Sequence, residues 1–433
     1  MKFGSLILAL LGAASAFAAT GSTNGSVTFY KDVLPVLQNH CQECHRPGEI
    51  GPMPLFTYDN VRPWAKAIKS AVATRKMPPW PADPHYGKFA NDRHLSDADI
   101  HTLVSWADHG SPAGEEKDAP PPRKWVEGWG IGEPDLVFQL AKPYPVPESG
   151  TVEYTYMVIP THFTKDTWVT KAEVRPTDRS VVHHVIAFLR PPGSKWLADA
   201  KPGEFYVPDK SQKGKVEGQP SELLVGYAPG LPPAILPDGT AKLVPAGTDI
   251  VLQLHYTPNG KPTLDQTKVG IVLAKAPPAE REMTLSAINS RFVIPPGDPN
   301  TEVTSDFTLH HDVRLIAVMP HMHLRGKDFK YTLAYPDGRK DEILQVPRFD
   351  FHWQLFYYLQ DPLPLPAGTR IDCVAHFDNS ANNPYNPDPT KEVRWGDQTW
   401  EEMMIGWFDV AFPRNVSPMA LFTDKNKKAA ASD

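Results

Sequence analysis

The stretch Val318-Met319-Pro320-His321-Met322-His323-Leu324-Arg325-Gly326 ends an apolar run that begins at Val313. Read as a β-strand over 313–323, it alternates side chains between two faces, so His321 and His323 point the same way. Two imidazoles on one face are two arms of a metal clamp. Copper and zinc both take imidazole, and a third ligand decides between them. The Met pair in Glu401-Glu402-Met403-Met404 can supply it, because a thioether is a soft donor that selects copper. The competing reading is a surface His pair beside a core strand, in a chain that holds 16 His. The neighbouring segments must decide between the two.

Outward from this stretch, 131–425 reads as strand after strand. In 151–159, Val152, Tyr154, Tyr156 and Val158 alternate onto one face. Further strands are expected at 181–188, 249–256, 370–377 and 402–412, separated by Pro, Gly, Asn and Asp. The 47 Pro among 433 residues fit turns and sheet edges better than long helices. No βαβ pattern occurs, so the expected class is mainly β, built from antiparallel sandwiches. The span is long for one sandwich. We place two, at 131–278 and 279–415, with the break at Pro277-Pro278 and a polar tail at 416–433.

Within these strands the run Val181-Val182-His183-His184-Val185-Ile186-Ala187-Phe188 sets two adjacent imidazoles among apolar residues. Buried polar groups need partners, here hydrogen bonds or a metal. Adjacent strand residues face opposite sides, so both can reach one metal only at a bulge or a strand end. In Leu252-Gln253-Leu254-His255-Tyr256, His255 lies on the face opposite Leu252, Leu254 and Tyr256. It completes a three-imidazole set with His183 and His184, or it is a partly exposed strand histidine.

The N-terminal third differs. Residues 1–18 read as a secretory signal, with Lys2, an apolar centre at 6–11 and Ala16-Phe17-Ala18 as the cleavage site. That apolar run is too short to span a bilayer, and no longer one follows. Cys41-Gln42-Glu43-Cys44-His45 is the C-x-x-C-H signature of covalent c-type haem attachment: two thioethers, with His45 on the iron. A disulfide between the two cysteines is the competing reading. Helices are expected at 30–39, 62–76 and 97–109, the last capped by Ser96 with Asp99 at its third position. Met77, on the Pro-stiffened loop Lys76-Met77-Pro78-Pro79-Trp80, suits the distal iron position, with Met53, His85 and His94 as alternatives. The segment 26–115 thus resembles a small all-α mono-haem class I cytochrome c domain, which implies an electron carrier. The Pro-rich stretch 111–130 reads as an extended spacer. An exported haem c protein is expected in the periplasm or secreted.

Four motifs occur in one order: His183-His184, Gln253-Leu254-His255-Tyr256, His321-Met322-His323-Leu324 and Glu401-Glu402-Met403. This set resembles the copper type II, ascorbate-dependent monooxygenases, the class of peptidylglycine- and dopamine-hydroxylating enzymes, across about 131–415. The resemblance implies two jelly-roll-like sandwiches, each holding one copper, that face each other across a solvent-filled cleft. It implies that His183, His184 and His255 bind the electron-accepting copper. His321, His323 and Met403 would bind the copper that activates dioxygen and would be the catalytic set; preferring Met403 to Met404 rests on the resemblance. Two coppers and one covalent haem c are the implied cofactors. The implied partners are O2, a small organic substrate, and ascorbate or a periplasmic electron donor whose electrons pass through the haem.

Departures from that family narrow the expectation. Met319 stands where peptidylglycine hydroxylases carry a carboxylate-holding Arg, so a peptide C-terminus is not the expected substrate. Cys373 and Met404 stand where those enzymes form a disulfide, so Cys373, the third and last cysteine, is expected as a buried free thiol. His310-His311 match no ligand in the set and read as structural or exposed. A net charge of -6 without a basic tract gives no reason to expect nucleic acid. The expected function is an exported copper monooxygenase hydroxylating a C–H bond. The alternative is a non-enzymatic haem/copper electron-transfer or copper-binding protein, and a carbohydrate- or partner-binding module is a weaker third.

Overall fold

A computed structural model describes residues 26–208 and 222–423. The signal reading at 1–18 and the end of the tail, 424–433, lie outside the described residues. The chain is mainly β with a small helical N-terminal region, the class its patterning anticipates. No described helix is long and apolar enough to cross a membrane.

In the helical region a π-helical turn, Phe29–Val33, runs into α1 (Leu34–His40), followed by α2 (Tyr58–Val61), α3 (Ala65–Ala73) and α4 (Asp97–Asp108). The Ser96 hydroxyl accepts the N–H of Asp99 at 3.1 Å and starts α4 as the capping pattern requires. Phe29, Val33, Leu37, Leu103 and Trp106 close the core of this region, all fully buried.

Two segments depart from the expected domain plan. The Pro-rich stretch is not a free spacer: Phe29 N–H donates to Pro112 O, Gln38 Nε2 to Pro121 O, and the Arg123 guanidinium to Gln38 O. Proline carbonyls remain good acceptors, and the helical region takes them up. The stretch 80–93 leaves the helical region altogether. Trp80 and Phe89 pack edge-on against Tyr357, at 4.9 and 5.4 Å between ring centroids. Asp83 N–H donates to Gln345 O and Ala90 N–H to Tyr358 O. This strap therefore buries its aromatics in the C-terminal sandwich rather than within 26–115.

The strands at Asp249–Tyr256 and Arg370–Phe377 occupy the expected bounds. Others shift. The first expected strand begins only at Thr155, and the strand carrying the His pair is Val182–Arg190. The quoted strand, Val313–His321, stops before His323. The reason is local: the Glu402 carboxylate accepts the N–H groups of His323 (2.8 Å) and Arg325 (2.6 Å), donors a ladder would otherwise use. Leu421, fully buried in the C-terminal core, shows that the sandwich runs past 415 and takes in the start of the expected tail.

The two sandwiches are joined by hydrogen bonds. In one, a five-stranded sheet orders Phe205–Tyr206, Thr155–Pro160, Asp249–Tyr256, Val182–Arg190 and Glu222–Tyr227. In the other, a four-stranded sheet orders Thr301–Thr308, Arg370–Phe377, Gly326–Ala334 and Lys340–Val346. A single long sheet backs both, because Thr240 and Ala241 pair in parallel with Glu280 and Arg281. At this seam Lys242 is buried. Its ammonium donates to Leu223 O (2.6 Å) and Thr284 Oγ1 (3.0 Å) and lies 3.7 Å from Glu282. Thr284 in turn donates to Asp409 (2.6 Å), and Arg281 pairs with buried Glu222 at 2.9 Å.

Lys242 is the cation that compensates Glu282 and Asp409. Lys242→Met should cost about 3–5 kcal/mol in urea unfolding at pH 8 and above, where Glu282 is ionised and would be left without a counter-charge. Burial pushes the Glu282 carboxyl up to about 8 from its ordinary 4.5. A raised folded pKa means its contribution is complete below about pH 4.5 and is lost as pH rises through about 8. The urea midpoint of the parent protein should therefore decline between pH 5 and 8, and Glu282→Gln should flatten that decline.

Candidate metal centre

The bulge that the adjacent histidines require is present. His255 pairs with His184 across the ladder and Tyr256 pairs with Val182, so His183 is the extra, unmatched residue. An extra residue turns a side chain out of strict alternation. The imidazoles of His183, His184 and His255 thereby converge, each offering a ring nitrogen within 4.8 Å of the others. The Nδ1 atoms of His183 and His184 are 3.1 Å apart. His183 Nε2 and His255 Nδ1 are buried with no hydrogen-bond partner in the protein. Tyr154, just ahead of its strand, stacks on His255 at 4.5 Å and fixes that ring.

Burial lowers these imidazoles first, with neighbouring histidines adding to it. His183 falls to about 3 and His255, through burial alone, to about 4, while His184 lies well below its ordinary value. All three are neutral at neutral pH, the form that binds metal. Orphaned buried nitrogens and a neutral three-imidazole set fit copper.

The second set is built differently. His321 closes its strand and His323 sits in the loop beyond, yet their rings lie 5.3 Å apart and nearly perpendicular. His321 Nδ1 is hydrogen-bonded to Gln354 Oε1 (2.5 Å) and His323 Nδ1 to Glu401 O (3.1 Å). Both acceptors are oxygens, so each Nδ1 carries the proton and each Nε2 is left as the donor atom. Burial takes His321 down to about 4 and His323 to about 3. Met403 lines the same cavity as His321 and His323, whereas Met404 is fully buried in the hydrophobic core. Two imidazoles and one half-buried thioether form a donor set that fits copper(I).

His184 of the first set and His321, His323 and Met403 of the second line one cavity of about 190 Å³. Phe351, in the loop before Tyr357–Leu365, stacks on His183 (5.0 Å, 20°) and meets His323 edge-on (5.9 Å, 82°). Sequence reasoning missed Phe351 and Gln354, which carry no spacing signal. Glu402 stood inside the quoted motif, but its hold on the His323 loop depends on pairing across 79 residues.

In the helical region Cys41 and Cys44 are free thiols, not a disulfide. His45 Nδ1 is hydrogen-bonded to Met53 O at 3.1 Å, leaving Nε2 bare, the arrangement an axial haem ligand needs. This donor set fits a covalent haem. Met53 packs on the helical core beside Cys41. Met77 follows α3 on the loop to Trp80, with its N–H bonded to Ala71 O; no contact in the structure singles out Met77, Met53, His85 or His94 as the distal ligand. Cys44 borders a second cavity, of about 150 Å³, between the helical region and the N-terminal sandwich. There Glu49 pairs with Arg46 (3.2 Å) and with Arg179, whose guanidinium lies over the Tyr227 ring. Tyr227, Ala228 and Leu231 border both cavities.

No family's sequence model matches the chain, and no characterised protein matches it in sequence. Among solved structures it is similar to that of infectious bursal disease virus Gx strain (10% identity, 67% of this chain and 75% of that one, TM-score 0.19). It is also similar to the major capsid protein P2 of bacteriophage PM2 (8% identity, 65% and 100%, TM-score 0.25). A third is PNGF-II (11% identity, 68% and 62%, TM-score 0.20). At these scores the likenesses carry no functional argument.

The two methionines should separate cleanly. Met404→Ala, a core truncation, should cost about 2–5 kcal/mol in chemical unfolding. Met403→Ala should stay within about 1 kcal/mol while lowering copper(I) retention on dialysis against a competing chelator.

Proposed function

We propose that this chain is an exported, haem-dependent copper monooxygenase that hydroxylates a C–H bond of a small organic substrate with O2. The observation that carries the reading is one cavity lined by His184, a member of a three-imidazole cluster, and by the unlike set of His321, His323 and Met403. When bound, copper would supply one-electron redox chemistry and dioxygen activation, and haem c would supply electrons. The protein's own part is preorganisation. The bulge at His183 aims three imidazoles at one point, and Gln354 and the Glu401 carbonyl fix the tautomers of His321 and His323. Met403 adds the soft donor, and Phe351 with the apolar walls keeps water out.

The packing of the C-x-x-C-H turn supports delivery of electrons within the chain. The Glu49–Arg179 pair clamps that turn to the N-terminal sandwich four residues before His183, and Tyr227, Ala228 and Leu231 border both the Cys44 cavity and the imidazole cavity. The non-enzymatic reading needs no cavity of substrate size between its metals, and the cavity therefore favours the enzyme. Periplasmic or secreted placement is part of the proposal and follows from the haem signature.

Purified protein should hold about two copper and about one haem per chain, and His183→Ala should lose close to one copper while its haem spectrum is unchanged. In the full-length protein, reduced haem mixed with O2 should reoxidise faster when copper-loaded than after copper is stripped. Equal rates would overturn electron delivery, and failure to take up copper would overturn the monooxygenase reading.

A further inference from the structure

Ile186, Phe188, Leu223, Met319, Ile405 and Trp407 wall the cavity that His184, His321, His323 and Met403 line. Both of its amide side chains are committed, while the Tyr227 hydroxyl is buried with no partner in the protein. Gln354 serves His321, and Gln253 Nε2 donates to the Tyr156 hydroxyl at 2.6 Å. No Lys or Arg lines it among the described residues, and its one carboxylate belongs to Asp397, an exposed residue at the solvent side. Met319 lies two residues before His321 on the same strand and shares its face. The position best placed to hold a charged end of a substrate against His321 is therefore a thioether.

An anionic end drawn into such a site would lose its hydration with no Lys or Arg to pair it, and a cationic end would find only the exposed Asp397 carboxylate, so neither regains what it gives up. An apolar molecule gains from every surface it buries there. We infer that the substrate is a small, uncharged, mainly apolar molecule, of the alkylbenzene type, held by contact with Met319, Ile405 and Trp407 while a C–H bond faces His321, His323 and Met403. This rests on the monooxygenase reading. The balanced reaction is R–H + O2 + 2 e− + 2 H+ giving R–OH + H2O, with both electrons from an external one-electron reductant of the ascorbate class. The product gains a hydroxyl that the apolar wall does not favour, which promotes its release.

The test uses the full-length, copper-loaded protein and three probes sharing one ring: ethylbenzene, 2-phenylethylammonium and phenylacetate. Binding is measured by calorimetry without reductant, and hydroxylation by product analysis with ascorbate and O2. Ethylbenzene should bind at least about tenfold tighter than either charged probe. Met319→Arg should reverse the preference toward phenylacetate, while Met319→Leu should leave it unchanged. Preference for the ammonium probe would overturn the inference in favour of recognition by Asp397. No binding of ethylbenzene, or hydroxylation of a charged probe alone, would overturn it as well, the latter with the monooxygenase reading intact. Selective binding of ethylbenzene without any hydroxylation would uphold the apolar cavity and overturn the monooxygenase reading instead.

Discussion

A two-residue run of parallel pairing constrains the rest of this molecule. Where Thr240 and Ala241 meet Glu280 and Arg281, the back sheets of two sandwiches become one. Lys242, next along the chain, is buried beside Glu282 within hydrogen-bonding reach of Thr284, which in turn holds Asp409. A buried charge cluster of this kind adds little net stability but penalises any sliding that would unpair a member. The two imidazole-bearing edges are consequently held facing each other. Phe351 can then touch His183 from one sandwich and His323 from the other.

On that frame the site depends on small irregularities. One unmatched residue, His183, turns an alternating strand into a convergent donor set. At the opposite edge a strand ends early because Glu402 captures two backbone donors, and the loop it shapes carries His323. Regular sheet would have sent His183 and His184 to opposite faces. Sheets lose pairing energy at such places, and here the bulge gathers buried imidazole nitrogens that have no partner in the protein.

The helical region is tied in more closely than a tethered carrier would be. Its Pro-rich exit folds back on α1, Trp80 and Phe89 of its 80–93 strap pack on the far sandwich, and Arg179 grips the turn after His45. These contacts leave the Cys44 cavity and the imidazole cavity sharing one wall.

Alternation and local signatures determined much of this protein directly. The bounds 249–256 and 370–377, the cap at Ser96 and the C-x-x-C-H turn can each be read from adjacent residues, because period, capping and turn chemistry are local. The sequence also stated the condition, a bulge or strand end, under which His183 and His184 could act together. Whether that condition holds was decided by tertiary structure alone, since a bulge is a mismatch of register between strands some 70 residues apart in the chain. The same is true of Met403 against Met404, of Gln354 behind His321 and of the strap across Tyr357. Each depends on which faces meet, and facing is set by pairing and burial between distant segments rather than by the pattern within any one of them.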